Sequence, residues 1–244
     1  MKTKTLIGAI VGRGPLSAPL VKQMKTLGHT VIDNGEWQQG SHLDFVVETT
    51  NVNMEEKKKN LIKIENIISE KTLILSTCLR ITATEAASWL KHPERLVGFA
   101  AFSTWEETNL IEIAPALQTD FDYVIKAKNI FQMMGKEVEV VEDGVGCVFP
   151  RILSLIINEA AFALTEKIAT PEHIDKAMKK GTNYPMGPLA WADHVGIDEI
   201  YAVLSGLYKE MGEERYRPAP MLRKMVYAGW LGKKSGRGFY LYES

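Results

Sequence analysis

The stretch IVGRGPLSAP, residues 10–19, sets Gly12 and Gly14 two positions apart between an apolar run and an amphipathic one. Glycines so spaced let a backbone turn approach a diphosphate closely, and the amides that open the following helix supply hydrogen-bond donors. The chemistry of such a turn is dinucleotide binding, and it requires the context found here, a strand before and a helix after. Two residues depart from the usual pattern. Ser17 stands where a third glycine lets helix and strand pack, and Pro15 has no amide hydrogen to offer a phosphate. The carboxylate expected to hold the ribose hydroxyls is Asp33, or Glu36 if the second strand runs longer. The bland reading of the same residues is a strand-to-helix turn kept for packing, with Arg13 pointing to solvent.

Other reactive side chains are few. The five histidines (His29, His42, His92, His173, His194) and the two cysteines (Cys78, Cys147) form no metal-ligand set and no CxxC spacing. The cysteines read as small buried residues, and the lack of a disulfide framework predicts a reducing, cytoplasmic compartment. His173 follows Thr170-Pro171, a helix cap and a first helical position, which puts it in a solvated first turn.

Apolar runs that alternate with amphipathic stretches predict a Rossmann-like α/β domain over residues 1–143. Strands are expected at Thr5 to Val11, Thr30 to Asp33, Phe45 to Glu48, Thr72 to Leu75, Leu96 to Phe99, Leu110 to Ile113 and Glu137 to Val141. Helices are expected at about Pro15 to Leu27, Asn53 to Ser69, Thr84 to Leu90 and Phe121 to Met133. The strand signal then stops, and residues 144–244 read as an all-helical domain. Its first helix carries Val148, Ile152, Leu155, Ile156, Phe162 and Ala163 at the spacing of a deeply buried face. Later helices are expected from Thr170-Pro171 onward, at Ile197 to Met211 and at Pro220 to Ala228, with YPMGP as a turn.

With 244 residues, 45% apolar and 24% charged, the chain can bury one substantial core or two modest ones. A formal charge of -1 without long single-sign runs favours neither nucleic acid nor an anionic membrane. Lys57-Lys58-Lys59 reads as the solvated face of a helix. The opening MKTKTLIGAIVG has some features of a signal peptide but reads better as a first strand, and no run reaches transmembrane length.

The segments IDKAMKKG (174–181), PMGPL (185–189), RPAPML (217–222) and GRGFY (236–240) occur in order. Together they closely resemble the C-terminal domain of the 3-hydroxyacyl-CoA dehydrogenases, a family that includes 3-hydroxybutyryl-CoA dehydrogenase. The resemblance extends over essentially the whole chain, strongly after residue 143 and dilutely before it. It implies an NAD-binding Rossmann-like domain, a helical domain through which members form homodimers, and NAD-dependent oxidation of a 3-hydroxyacyl-CoA in fatty acid metabolism. It also implies a histidine base in a stretch like V-G-M-H-F-F-N-P, oriented by a glutamate twelve residues later. Laid on VGFAAFSTWEETNLIEI, residues 97–113, the histidine falls on Ala100 and its partner on Glu112. The family's substrate-contacting serine falls on Leu79, and the asparagine that opens the long helix falls on Pro150. Asp33 to Leu43 is too short for the helical hairpin that in the family contacts coenzyme A.

Two readings follow. In the favoured one the chain is a non-catalytic relative that keeps the fold and some nucleotide or CoA-ester binding, with Glu112 vestigial, as a strand-end carboxylate facing water or a backbone amide. In the other it is an active NAD-dependent 3-hydroxyacyl-CoA dehydrogenase that recruits other groups. A different reaction through Cys78 or His194 would require either residue to line a pocket with Glu112.

Overall fold

Short apolar runs bounded by glycine and polar breaks form seven strands in the computed structural model, which describes residues 5–33 and 42–243. The strands are β1 (Ile7–Val11), β2 (Thr30–Asp33), β3 (Phe45–Glu48), β4 (Leu73–Thr77), β5 (Leu96–Ala100), β6 (Leu110–Pro115) and β7 (Glu137–Val140). They make one sheet in the order β2-β1-β3-β4-β5-β6-β7. Every neighbouring pair is parallel except β5 with β6. The chain divides into two compact units, Met1–Cys147 and Val148–Ser244, and the sheet belongs to the first.

Parallel strands covered on both faces must be apolar on both, and the alternation assigns successive residues to opposite cores. Ile10, Phe45, Val47, Leu73, Leu75, Val97 and Phe99 face one core, covered by α1 (Ser17–Thr26) and α4 (Phe121–Met133). Ala9, Val11, Val46, Ile74 and Leu96 face the other, covered by α2 (Met54–Ile67) and α3 (Ala83–Ala87). Asn53 caps α2 and Thr82 caps α3, each accepting from an amide of the first turn. Asp143 adds a second cap to α3, accepting from Ala83 N at 2.7 Å and Thr84 N at 2.8 Å. Glu36 and most of the shortened connection lie in residues 34–41, outside the described residues; β2 ends at Asp33 and β3 begins at Phe45.

The second unit contains α5 (Phe149–Thr165), α6 (Pro171–Thr182), α7 (Pro188–Val195), α8 (Ile197–Met211) and α9 (Pro220–Tyr227). Thr170 caps α6, and His173 is exposed in its first turn. Two expectations need correction. The segment after YPMGP is a helix, α7, which Pro188 starts at a position where a missing amide hydrogen costs nothing. In α5 the buried side is Leu153, Ile157, Ala160 and Ala161 rather than the face expected from periodicity. Val148 is 47% exposed and Ile152 54%. The helix is apolar on two sides, so its period does not tell which one packs.

Two buried carboxylates tie this unit together: Asp175 lies in the IDKAMKKG motif, and Asp193 holds the GRGFY motif. Asp175 accepts from Leu189 N at 2.8 Å and Ala190 N at 2.9 Å, capping α7, and receives the Tyr240 hydroxyl at 2.8 Å. Asp193 accepts from Phe239 N and Tyr240 N, both at 2.9 Å, and from the Tyr242 hydroxyl at 3.0 Å. On α5, Asn158 brackets the RPAP turn, donating to Arg217 O at 2.9 Å and accepting from Ala219 N at 2.8 Å. Among the described residues no helix is long and apolar enough to cross a membrane.

Candidate active site

The glycine turn sits between β1 and α1. Gly12 has φ +125°, and a Cβ built there would lie 2.4 Å from Thr49 Oγ1, so the position tolerates only glycine. Ser17 is buried at the helix start, and its amide donates to Gly14 O at 3.1 Å. A small hydroxymethyl group thus fits where the pattern has a third glycine. Arg13 is exposed. Asp33 ends β2 opposite Ile10, beside the C-terminal end of β1. A strand-turn-helix with a left-handed glycine and a carboxylate on the neighbouring strand suits a dinucleotide; Pro15 removes one amide from its phosphate end.

Behind this turn lies a polar cluster that sequence reading missed. Lys57 was expected on a solvated helix face, yet it is fully buried and its Nζ pairs with Glu48 at the end of β3. Lys58 and Lys59 are the exposed members of the triplet. Lys57 Nζ also donates to Thr77 Oγ1 at 3.0 Å and to Thr50 O at 3.3 Å, while Glu48 Oε1 accepts from Thr50 N at 2.9 Å. Thr49 closes over β1, its amide and hydroxyl both donating to Val11 O at 2.9 and 3.1 Å. A buried charge persists only when paired and hydrogen-bonded, and this one joins α2, β3 and β4 at the strand ends that carry the Gly12 turn.

Ala100 ends β5 directly opposite Glu112 of β6 in the antiparallel register. Each is 7% exposed. Glu112 is therefore a buried mid-strand carboxylate, not a strand-end group in water, and the residue facing it has no proton to exchange. Leu79 is buried just beyond β4, after Cys78, whose amide donates to Phe99 O at 2.9 Å. Asn51 donates to Ala101 O at 3.2 Å, fixing the chain after Ala100. Pro150, in the second unit, is buried in the first turn of α5, where its neighbour Arg151 lies over the Tyr216 ring. His194 is in the last turn of α7 with Nδ1 3.2 Å from Lys233 Nζ.

Two family models match: "3-hydroxyacyl-CoA dehydrogenase, NAD binding domain" over residues 7–144, and the C-terminal domain of the same family over residues 146–242. The chain belongs to the 3-hydroxyacyl-CoA dehydrogenase family. It is 38% identical over 206 residues to a Bacillus subtilis protein named as a probable 3-hydroxybutyryl-CoA dehydrogenase, covering 84% of this chain and 72% of that one. It is 35% identical over 199 residues to the 3-hydroxybutyryl-CoA dehydrogenase of Bradyrhizobium diazoefficiens, covering 82% and 68%. Its fold superposes on the (S)-3-hydroxybutyryl-CoA dehydrogenase structure from Ralstonia eutropha with TM-score 0.83 and 30% identity, over 99% of this chain and all of the other.

Within this 3-hydroxyacyl-CoA dehydrogenase family member the first unit is the NAD-binding domain, so NAD is the cofactor class it is built around. Gly12, Gly14 and Ser17, expected from the sequence to contact it, lie in the turn after β1 and at the start of α1, and Asp33 ends β2. Among the described residues no group of three or more His, Cys, Asp or Glu side chains could hold a metal ion. One further arrangement had no sequence signal: Cys78 and Cys147, 69 residues apart, bring their Sγ atoms within 3.4 Å.

Proposed function

We propose that this chain is a 3-hydroxyacyl-CoA dehydrogenase homologue that binds a nicotinamide dinucleotide but does not catalyse family-level dehydrogenation, acting as a binding or scaffold protein. The observation that carries the reading is the pairing of Ala100 with Glu112. Bound NAD supplies a hydride acceptor. Oxidising an alcohol also needs a base to take the hydroxyl proton, and at the position facing Glu112 the chain offers a methyl group. Leu79 and Pro150 remove the further hydrogen-bonding groups that the family resemblance places on the substrate, and a site built on such bonds loses orders of magnitude when they go. The exposed apolar side of α5, with Val148, Phe149 and Ile152, supports a homodimer through the helical unit.

A second reading, an active enzyme using another base, is favoured by the 38% identity to the Bacillus subtilis relative and by the retained Glu112. Calorimetric titration separates part of the question from turnover. NADH is expected to bind the full chain, and Gly12→Ala to weaken that binding by about tenfold or more, because the new methyl group collides with Thr49 in a backbone region alanine rarely adopts. No measurable heat with NADH, or equal affinity in Gly12→Ala, would remove the nucleotide-binding half of the proposal. Restoring the base, Ala100→His, is expected to yield no useful turnover, since Leu79 and Pro150 are unchanged.

A further inference from the structure

We propose that Cys78 and Cys147 are a disulfide-forming modification site at the C-terminal edge of the sheet. Both thiols are free and buried, and their Sγ atoms lie 3.4 Å apart. The backbone holds them there from both sides. Cys78 is fastened to β5 through its amide, and its carbonyl accepts from Gly146 N at 2.8 Å. Gly146 (φ +73°) and Cys147 (φ +49°) are consecutive residues in the left-handed region, which turns the chain back over the end of β4. A non-glycine residue held in that region costs free energy, so the surrounding structure specifies the turn that presents Cys147 to Cys78. Closing the gap to a bond of about 2.05 Å asks for a shift of roughly 1.4 Å shared between two side chains. Nothing in the proposed function uses either thiol, and with no third ligand among the described residues the pair is not a metal site.

The oxidant is a low-molecular-weight disulfide. Cys147, the more accessible of the two, loses its proton and attacks one sulfur of the reagent, releasing a thiolate and leaving a mixed disulfide. Cys78, deprotonated in turn, attacks the Cys147 sulfur and expels the second reagent thiolate. The protein loses two protons and two electrons, and the reagent disulfide becomes two thiols. The hydrogen bond with Cys78, burial, and the carboxylates Glu112 and Asp143 all hold the Cys147 thiol above the ordinary range. Thiolate is therefore scarce at neutral pH, so closure is slow there and speeds up by about tenfold per pH unit while the thiol remains mostly protonated. The bond would pin the turn bearing Leu79 to residues 143–147.

The test is incubation of the native full chain with oxidised glutathione, then denaturing alkylation and intact mass measurement. The expected result is a fall from two alkylatable thiols to none, a mass lower by two hydrogens, and one cross-linked peptide containing both cysteines. The oxidised chain should melt about 5 °C higher, because the bond closes a long loop, and dithiothreitol should reverse both changes. Two thiols still alkylatable after prolonged incubation at mildly alkaline pH, where thiolate is more abundant, or a stable glutathione adduct in place of the closed pair, would each overturn the proposal. None of these readouts depends on a variant folding.

Discussion

Replacing Lys57 by methionine is expected to cost about 3–5 kcal/mol of stability, the largest loss among substitutions that leave the hydrophobic cores intact. Lys57 Nζ is enclosed by Glu48, Thr50 and Thr77, and Glu48 is fully buried. Removing the ammonium leaves a carboxylate without its countercharge and Thr77 Oγ1 without the Lys57 donor, while Thr50 O keeps the bond from the Thr77 hydroxyl at 3.3 Å. The double variant Lys57→Met, Glu48→Gln removes both charges and should recover much of the loss, because the uncompensated charge rather than the missing attraction dominates the cost. Urea midpoints for the two single variants and the double one give the coupling. A loss below about 1 kcal/mol for Lys57→Met would show that solvent reaches this pair. The same variant should weaken NADH binding, since the Glu48 and Lys57 bonds to Thr50 help hold the Thr49-Thr50 segment against Gly12.

In the helical unit the corresponding loss comes from Asp193. Asp193→Ala leaves Phe239 N, Tyr240 N and the Tyr242 hydroxyl without their acceptor and releases the C-terminal segment, at about 2–4 kcal/mol. Gly238 belongs to the same contact, since a Cβ there would lie 2.0 Å from Asp193 Oδ1. The pH dependence has a definite sign. Burial pushes the Asp193 carboxyl above the ordinary aspartate range, outweighing the bonds from Phe239, Tyr240 and Tyr242 that pull it down. A folded value above the unfolded one means that this group's favourable contribution is complete below the unfolded value and is lost as pH rises through the folded one. The margin of the parent chain over Asp193→Ala should therefore shrink as pH is raised from about 4. Unfolding of both proteins across that range checks it, and a margin that widens with pH would contradict the assignment.

The sheet was legible because each strand is a short apolar run between breaks, and the resemblance in the C-terminal motifs was strong because those residues hold the fold. Asp175 and Asp193 anchor helices and the C-terminal segment, so a match in this half speaks for architecture and leaves chemistry open. Of the positions that the resemblance makes catalytic, Ala100, Leu79 and Glu112 lie in the dilute N-terminal half and Pro150 at the start of α5, and all are visible only by alignment. What stayed hidden has physical causes. Lys57 looks like its neighbours Lys58 and Lys59 until the helix is docked and Glu48 comes opposite. Glu112 could not be told from a solvated strand end without the antiparallel register that buries it against Ala100. α5 is apolar on two sides, so the 3.6-residue period offered both. The two cysteines meet only through tertiary structure.

One relative carries residues that have no counterpart in this sequence. The alignment to the Clostridioides difficile 3-hydroxybutyryl-CoA dehydrogenase runs over 279 positions and covers 98% of that protein, whereas this chain has 244 residues. β2 ends at Asp33 and β3 begins at Phe45, where the family resemblance places a hairpin that contacts coenzyme A.

The most direct measurement is steady-state consumption of NADH by the full chain with acetoacetyl-CoA, run beside a family member that carries the histidine. A missing general base alone costs about 10²- to 10⁴-fold, and missing polar contacts add to it. The expected kcat/KM is at least about a thousandfold below that of the relative, with NADH still bound. A value within about tenfold of the relative's would show that another group takes the proton and would contradict the account.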